Sequence, residues 1–205
     1  MTVQLDVTPR TELLLLAGQH PTASWGPIVG NRSDNQAGYP GGGGSFVATV
    51  ADGILVAAGG GGGASRDNVT GSTSADGGDG GFANGAPAGS NGAPGDAGGR
   101  GATDTAPGAN GLGASPGDVQ TPASTLSALV ASGVIVPGYG GGWEGNTAGS
   151  GGGGYYGGGA GVAGDVDELL LLPRSIGSGG GGSGYLAQGL TALSTGSNTG
   201  HGYIT

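Results

Sequence analysis

The sequence contains no cysteine and no lysine, and only 5% of its residues are aromatic. Without thiols there is neither a disulfide framework nor a thiolate metal site. Without lysine, five arginines stand against fourteen carboxylates, and the formal net charge is −9. A chain of that balance lacks the positive footprint that neutralises phosphates, which argues against a nucleic-acid partner and against anionic membrane surfaces. A phosphate-cradling P-loop is excluded as well, because its lysine must reach the terminal phosphates. No run approaches the ~18 apolar residues of a membrane span, so no membrane insertion is expected. The N-terminal Met-Thr-Val-Gln-Leu-Asp has no basic stretch leading into an apolar one, and the expectation is a protein made in the cytoplasm and kept there or carried out in a particle.

Glycine is abundant instead. With 56 glycines and 11 prolines, about a third of the 205 residues are of the two types, a composition that usually signals low-complexity disorder. Against that stand a 35% hydrophobic content and compact apolar runs at Leu13 to Ala17, Phe46 to Ala58, Val134 to Val136 and Leu169 to Leu172. The length suits one domain with one core. We read 1–205 as a single glycine-rich domain: N-terminal strands and loop over 1–37, a glycine-rich core over 38–188 and a closing strand over 189–205.

The local patterns predict mostly strands. Val3, Leu5 and Val7 alternate, Pro9 and Arg10 turn, and Glu12 to Ala17 is a short apolar run. Phe46, Val47 and Val50 face Ile54, Leu55 and Val56 across Asp52-Gly53, a dipeptide suited to the positive φ angles of a tight hairpin. Val134 to Val136, Val166 to Leu172 and Tyr185 to Leu193 are further strand candidates, and the two acidic-then-leucine runs at Glu12 and Glu168 suggest a matched pair of core strands. One short α-helix is expected over 121–133, where Thr121-Pro122 opens, Leu126, Leu129 and Val130 share a face, and Gly133 closes.

Between these elements the glycines are phased. Gly89, Gly92, Gly95, Gly98 and Gly101 fall at every third position, and shorter triplets recur at Gly151, Gly154 and Gly157 and at Gly158, Gly161 and Gly164. Three is the period of the extended left-handed polyproline II helix, which makes no internal hydrogen bonds. Fixing each residue costs roughly 1–2 kcal/mol while a net hydrogen bond returns about 1 kcal/mol, so such helices fail singly. Interrupted triplets therefore predict several short helices side by side, pairing N–H and C=O with neighbours and anchored on the apolar strands.

The glycine blocks themselves, Gly41 to Phe46, Ile54 to Ser65, Gly151 to Gly159 and Gly179 to Tyr185, come in an order that resembles the glycine-rich domain of anaplastic-lymphoma-kinase-type receptor ectodomains and of many bacterial and phage proteins. The resemblance spans roughly residues 38 to 188. It implies a mainly β protein with irregular structure: a small β-framework carrying a bundle of short polyglycine II helices. The chain is also similar to adhesins at the tips of T-even-type phage tail fibres and to glycine-rich minor tail proteins of phages that infect actinobacteria. That likeness implies a virion protein of a bacteriophage tail, whose loops recognise a host cell-surface receptor or glycan and whose partners are other phage tail proteins. A structural virion subunit that assembles with its neighbours is expected to be a homo-oligomer. The alternatives are a virion subunit without receptor contact and a bacterial glycine-rich surface protein.

Catalytic chemistry finds little support. His20 and His201 are the only histidines and accompany no recognisable nucleophile motif. Gly140, Gly142 and Gly145 spell a dinucleotide fingerprint without a βαβ context. Neither Asp165, Asp167 and Glu168 nor Asp76 and Asp79 follow a calcium-loop pattern. No enzyme activity, cofactor or metal is therefore expected. Aromatics are the candidates for recognition, since tyrosine and tryptophan give large rigid contacts at small entropic cost. Tyr155 and Tyr156 are read as caps of the glycine bundle. Tyr139, Trp143 and Glu144 in a glycine loop, together with Trp25, are the expected host or partner contacts.

Overall fold

The computed structural model describes residues 1–20, 39–65, 76–82, 88–92, 98–109, 111, 148–161 and 177–196. Among them the regular structure is antiparallel β, with no helix. The helix expected over 121–133, the strands expected at 134–136 and 166–172, and the end of the closing segment lie outside the described residues.

The order is β1 (Thr2–Val3), β2 (Leu14–Leu16), β3 (Ser45–Thr49), β4 (Gly53–Ala58), β5 (Tyr185–Leu186) and β6 (Ala192–Ser194). Strands β2-β3-β4-β5 form one sheet, and β1 pairs β6 in a separate ribbon. Register lines up Leu16, Phe46, Ala57 and Tyr185 in one row across the sheet, and Leu14, Ala48 and Ile54 in another. Because side chains alternate between faces, both rows point to the same side. There Phe46, Ala48, Ile54 and Ala57 are buried, with Leu14, Leu16, Tyr155 and Tyr185 packed against them. Burying Phe46 and Ile54 contributes about 1.5–3 kcal/mol each, so this small core is an apolar anchor for the described residues. A bulge between Val47 and Ala48 leaves Leu55 out of the β3–β4 register; its carbonyl accepts the Ala187 amide at 2.8 Å.

Several sequence expectations change in detail. The β3–β4 reversal is not a two-residue turn with both Asp52 and Gly53 left-handed. Val50 to Asp52 form the loop, Thr49 pairs with Gly53, and positive φ falls on Gly53 alone (77°). The Thr49 hydroxyl accepts the Asp52 amide at 2.8 Å and donates to its carboxylate at 2.9 Å, which holds Asp52 in the loop without left-handed geometry. The turn at Pro9-Arg10 is present, with Arg10 at φ 74°, but only Thr2–Val3 of the alternating N-terminal run is strand. The run from Tyr185 to Leu193 divides at Gly189, whose φ of 89° sits in a turn closed by Leu190 N–H to Ala187 C=O. Of the matched leucine runs, Leu14 to Leu16 pairs with Phe46 to Ala48; the other lies outside the described residues.

Candidate functional site

Four strand ends meet at one edge of the sheet, and each continues there as a glycine segment: β2 into 18–19, β3 from 41–44, β4 into 59–63 and β5 from 179–184. The neighbours persist beyond the strands. Gly43 N–H bonds Gln19 C=O, Gly42 bonds Gly61, and Gly179 and Gly182 bond Gly63 and Gly60. What changes is the period. A strand sends its amides to two opposite sides and grows only in a plane, whereas these segments return to one partner at every third residue.

The pattern is fullest along 177–183. Its carbonyls at 177, 180 and 183 accept amides 149, 152 and 155; those at 178 and 181 accept 99 and 102; those at 179 and 182 accept 78 and 81. Its amides at 179 and 182 go to 63 and 60, those at 180 and 183 to 159 and 156, and that at 181 to 90. One stretch of backbone thus bonds six others, at 59–64, 77–81, 88–92, 98–102, 148–154 and 156–161. Three residues per turn rotate successive peptide groups by about 120°, which is how a chain can bond neighbours all round its axis.

Such contact leaves no space for side chains. A Cβ on Gly179, Gly180, Gly181 or Gly182 would come closer than 3.0 Å to backbone of Ser150, Arg100, Asp79 and Gly153 respectively. Where side chains do enter, they are small and bonded. Ser178 and Ser183 are fully buried; the Ser178 hydroxyl donates to Asp76 C=O at 2.5 Å, and Ser183 Oγ accepts the Tyr156 amide at 3.0 Å. At the sheet end Phe82, buried and left-handed at φ 68°, lays its ring where a Cβ on Gly184 would stand.

Tyr155 and Tyr185 close the junction between sheet and glycine segments. Their rings stack at 4.1 Å, and Tyr156 meets Tyr155 edge-on at 5.3 Å. Burial raises the Tyr155 hydroxyl above the ordinary tyrosine pKa, with smaller contributions from Tyr185 and Tyr156. Tyr155 and Tyr185 pack against the core.

Of the phased glycines, Gly89 and Gly92 bond Ala102 and Gly99, and Gly101 N–H bonds Asn91 Oδ1. Gly95 lies outside the described residues. The five do not follow one rod, because pairing of Gly92 with Gly99 folds 88–92 against 98–102 in antiparallel fashion.

Successive segments run in opposite directions, and this sorts the connections. The chain leaves the array at Ser65, Gly92, Gly111 and Gly161 and re-enters at Asp76, Gly98, Ala148 and Gly177. These positions gather at the end remote from the sheet, tied by Gly92 to Gly99, Gly111 to Ala160, Gly161 to Gly149 and Gly149 to Gly177. Tyr39 joins them there through Ala64. The expected contact residues Trp25, Tyr139, Trp143 and Glu144 lie outside the described residues, in stretches that rejoin the array at Tyr39 and Ala148.

Among the described residues no three His, Asp or Glu side chains gather as a metal site, and no helix is long and apolar enough to cross a membrane. In comparisons with known proteins the chain matches no family model, no curated protein and no solved structure.

Proposed function

We propose that the glycine segments form a bundle of polyglycine II helices, with the short α-helix over 121–133 outside it, and that the bundle is a stiff support for recognition loops in a bacteriophage tail, as a minor tail protein or tail-tip adhesin. The observation that carries the bundle is the three-residue return of hydrogen bonds around 177–183. The presentation role draws on connectivity: the stretches 66–75, 93–97, 112–147 and 162–176 begin and end at one end of the array, and one of them holds Tyr139, Trp143 and Glu144. Loops based on a rigid framework are a common site of recognition.

The test combines mass spectrometry of purified virions with binding of the purified protein to host cells or envelope glycans. The expected result is a virion component that binds the cell surface, with binding weakened in Trp143→Ala at unchanged thermal stability. Presence in virions without cell binding would instead identify a structural subunit. Absence from both assays refutes the tail assignment.

A further inference from the structure

Segment 88–92 lies on the outside of the array. Its flanks are 77–81 and 98–102, and behind it is 177–183. The two flanking segments each direct an amide away from the centre. In 77–81 the amides of Gly78 and Gly81 bond the central segment, so that of Asp79, turned by a third of a revolution, does not. In 98–102 the amides of Gly99 and Ala102 bond the centre and that of Arg100 bonds Ala109, leaving Gly101 directed outward. Both outward amides end on side chains of the segment between them: Ser90 Oγ accepts from Asp79 at 2.7 Å, and Asn91 Oδ1 accepts from Gly101 at 2.9 Å. Asp79, Ser90 and Asn91 are all exposed.

We propose that Ser90 and Asn91 are a lateral stop. An array that grows by backbone pairing has the same liability as an open sheet edge, which templates the addition of another chain. The outward amides of Asp79 and Gly101 are the donors that a further glycine-rich segment, from a second copy of this chain, would use. By turning one acceptor to each side, Ser90 and Asn91 occupy both donors and end the array at this edge. The inference rests on the three-residue geometry proposed above.

The double variant S90A/N91A keeps each Cβ and removes only the acceptors. Light scattering coupled to size exclusion should show its mass rising with concentration toward about twofold or more that of wild type, as a new edge-to-edge contact forms. S90T/N91D, which retains both acceptors, should keep the wild-type mass. A folded S90A/N91A that keeps the wild-type mass over the same range overturns the proposal, as does association of S90T/N91D. Amide hydrogen exchange on the unaltered protein gives an independent reading: Asp79 and Gly101 should exchange slowly although their hydrogen bonds lie at the surface. Rapid exchange at these two alone overturns the stop, whereas rapid exchange throughout 177–183 overturns the bundle itself.

Discussion

Replacing Gly181 by alanine, compared with the same change at Gly42, isolates the role of glycine as an absence of side chain. A Cβ at Gly181 would lie closer than 3.0 Å to the Asp79 carbonyl group. Relief requires 177–183 and 77–81 to move apart, yet Gly78 to Gly179 at 2.8 Å and Gly81 to Gly182 at 2.7 Å bracket the clash. Losing these two bonds, each leaving buried groups short of a partner, costs roughly 2–6 kcal/mol. The stiffer unfolded chain returns only about 0.4–1 kcal/mol. A net loss of roughly 1–5.5 kcal/mol lowers the melting temperature by roughly 2–20 °C in a domain of this size. At Gly42 the nearest atom to a Cβ is 3.6 Å away, an ordinary contact, so Gly42→Ala should be neutral or stabilise by up to about 1 kcal/mol. Thermal unfolding followed by far-ultraviolet circular dichroism, or calorimetry, measures both. If Gly181→Ala melts at or above the temperature of Gly42→Ala, the crowding argument is wrong, and glycine serves this segment for some other reason.

Ser183→Ala removes the acceptor of the Tyr156 amide at a fully buried position, and urea unfolding should register a loss of roughly 1–3 kcal/mol. Gly53→Ala places a Cβ at φ 77° and should cost about 1–2 kcal/mol in the same assay, without changing the sheet content. Because Tyr155 is harder to ionise when folded, its contribution is present below the ordinary tyrosine pKa and is lost as pH rises through the raised value. Tyr155→Phe should therefore flatten the fall in stability above about pH 10 relative to wild type; an unaltered alkaline slope would show that this hydroxyl does not couple to folding.

The sequence makes the apolar hairpin readable because two apolar runs flanking Asp52-Gly53 are a local signal, while the choice of Phe46 and Ile54 as core residues follows from the register. The glycine period is readable too, but not its path. Gly89 to Gly101 looks continuous in one dimension, while 88–92 and 98–102 pair antiparallel; the triplet period masks this, although Pro94-Gly95 between them is a turn signal. Nor does any local feature name 177–183 as the centre. Unbroken glycine runs occur at Gly41 to Gly44, Gly59 to Gly63, Gly151 to Gly154 and Gly179 to Gly182 alike, so a run by itself does not single out the centre; only the pairing does. Ser90 and Asn91 carry no local signal, since their role depends on where 77–81 and 98–102 lie. The aromatic contact candidates rest on composition and loop setting alone.

The central position of 177–183 also bears on how such a chain can fold. It is the last array segment in the described sequence, yet it bonds segments that begin as early as residue 59. Until it is in place, 59–64, 77–81, 98–102 and 148–154 lack their shared partner, and each net hydrogen bond returns only about what one residue loses in backbone entropy. Partial arrays are therefore poorly stabilised, and assembly depends on contacts distant in sequence, which slows folding. The apolar sheet supplies a way through this difficulty. β3 and β4 form a local hairpin with its own core, and β5 docks beside β4, so pairing Tyr185 with Ala57 aligns 177–183 antiparallel to 59–64 before the remaining segments join. On this argument the small sheet does more than anchor the array: its register selects which glycines meet.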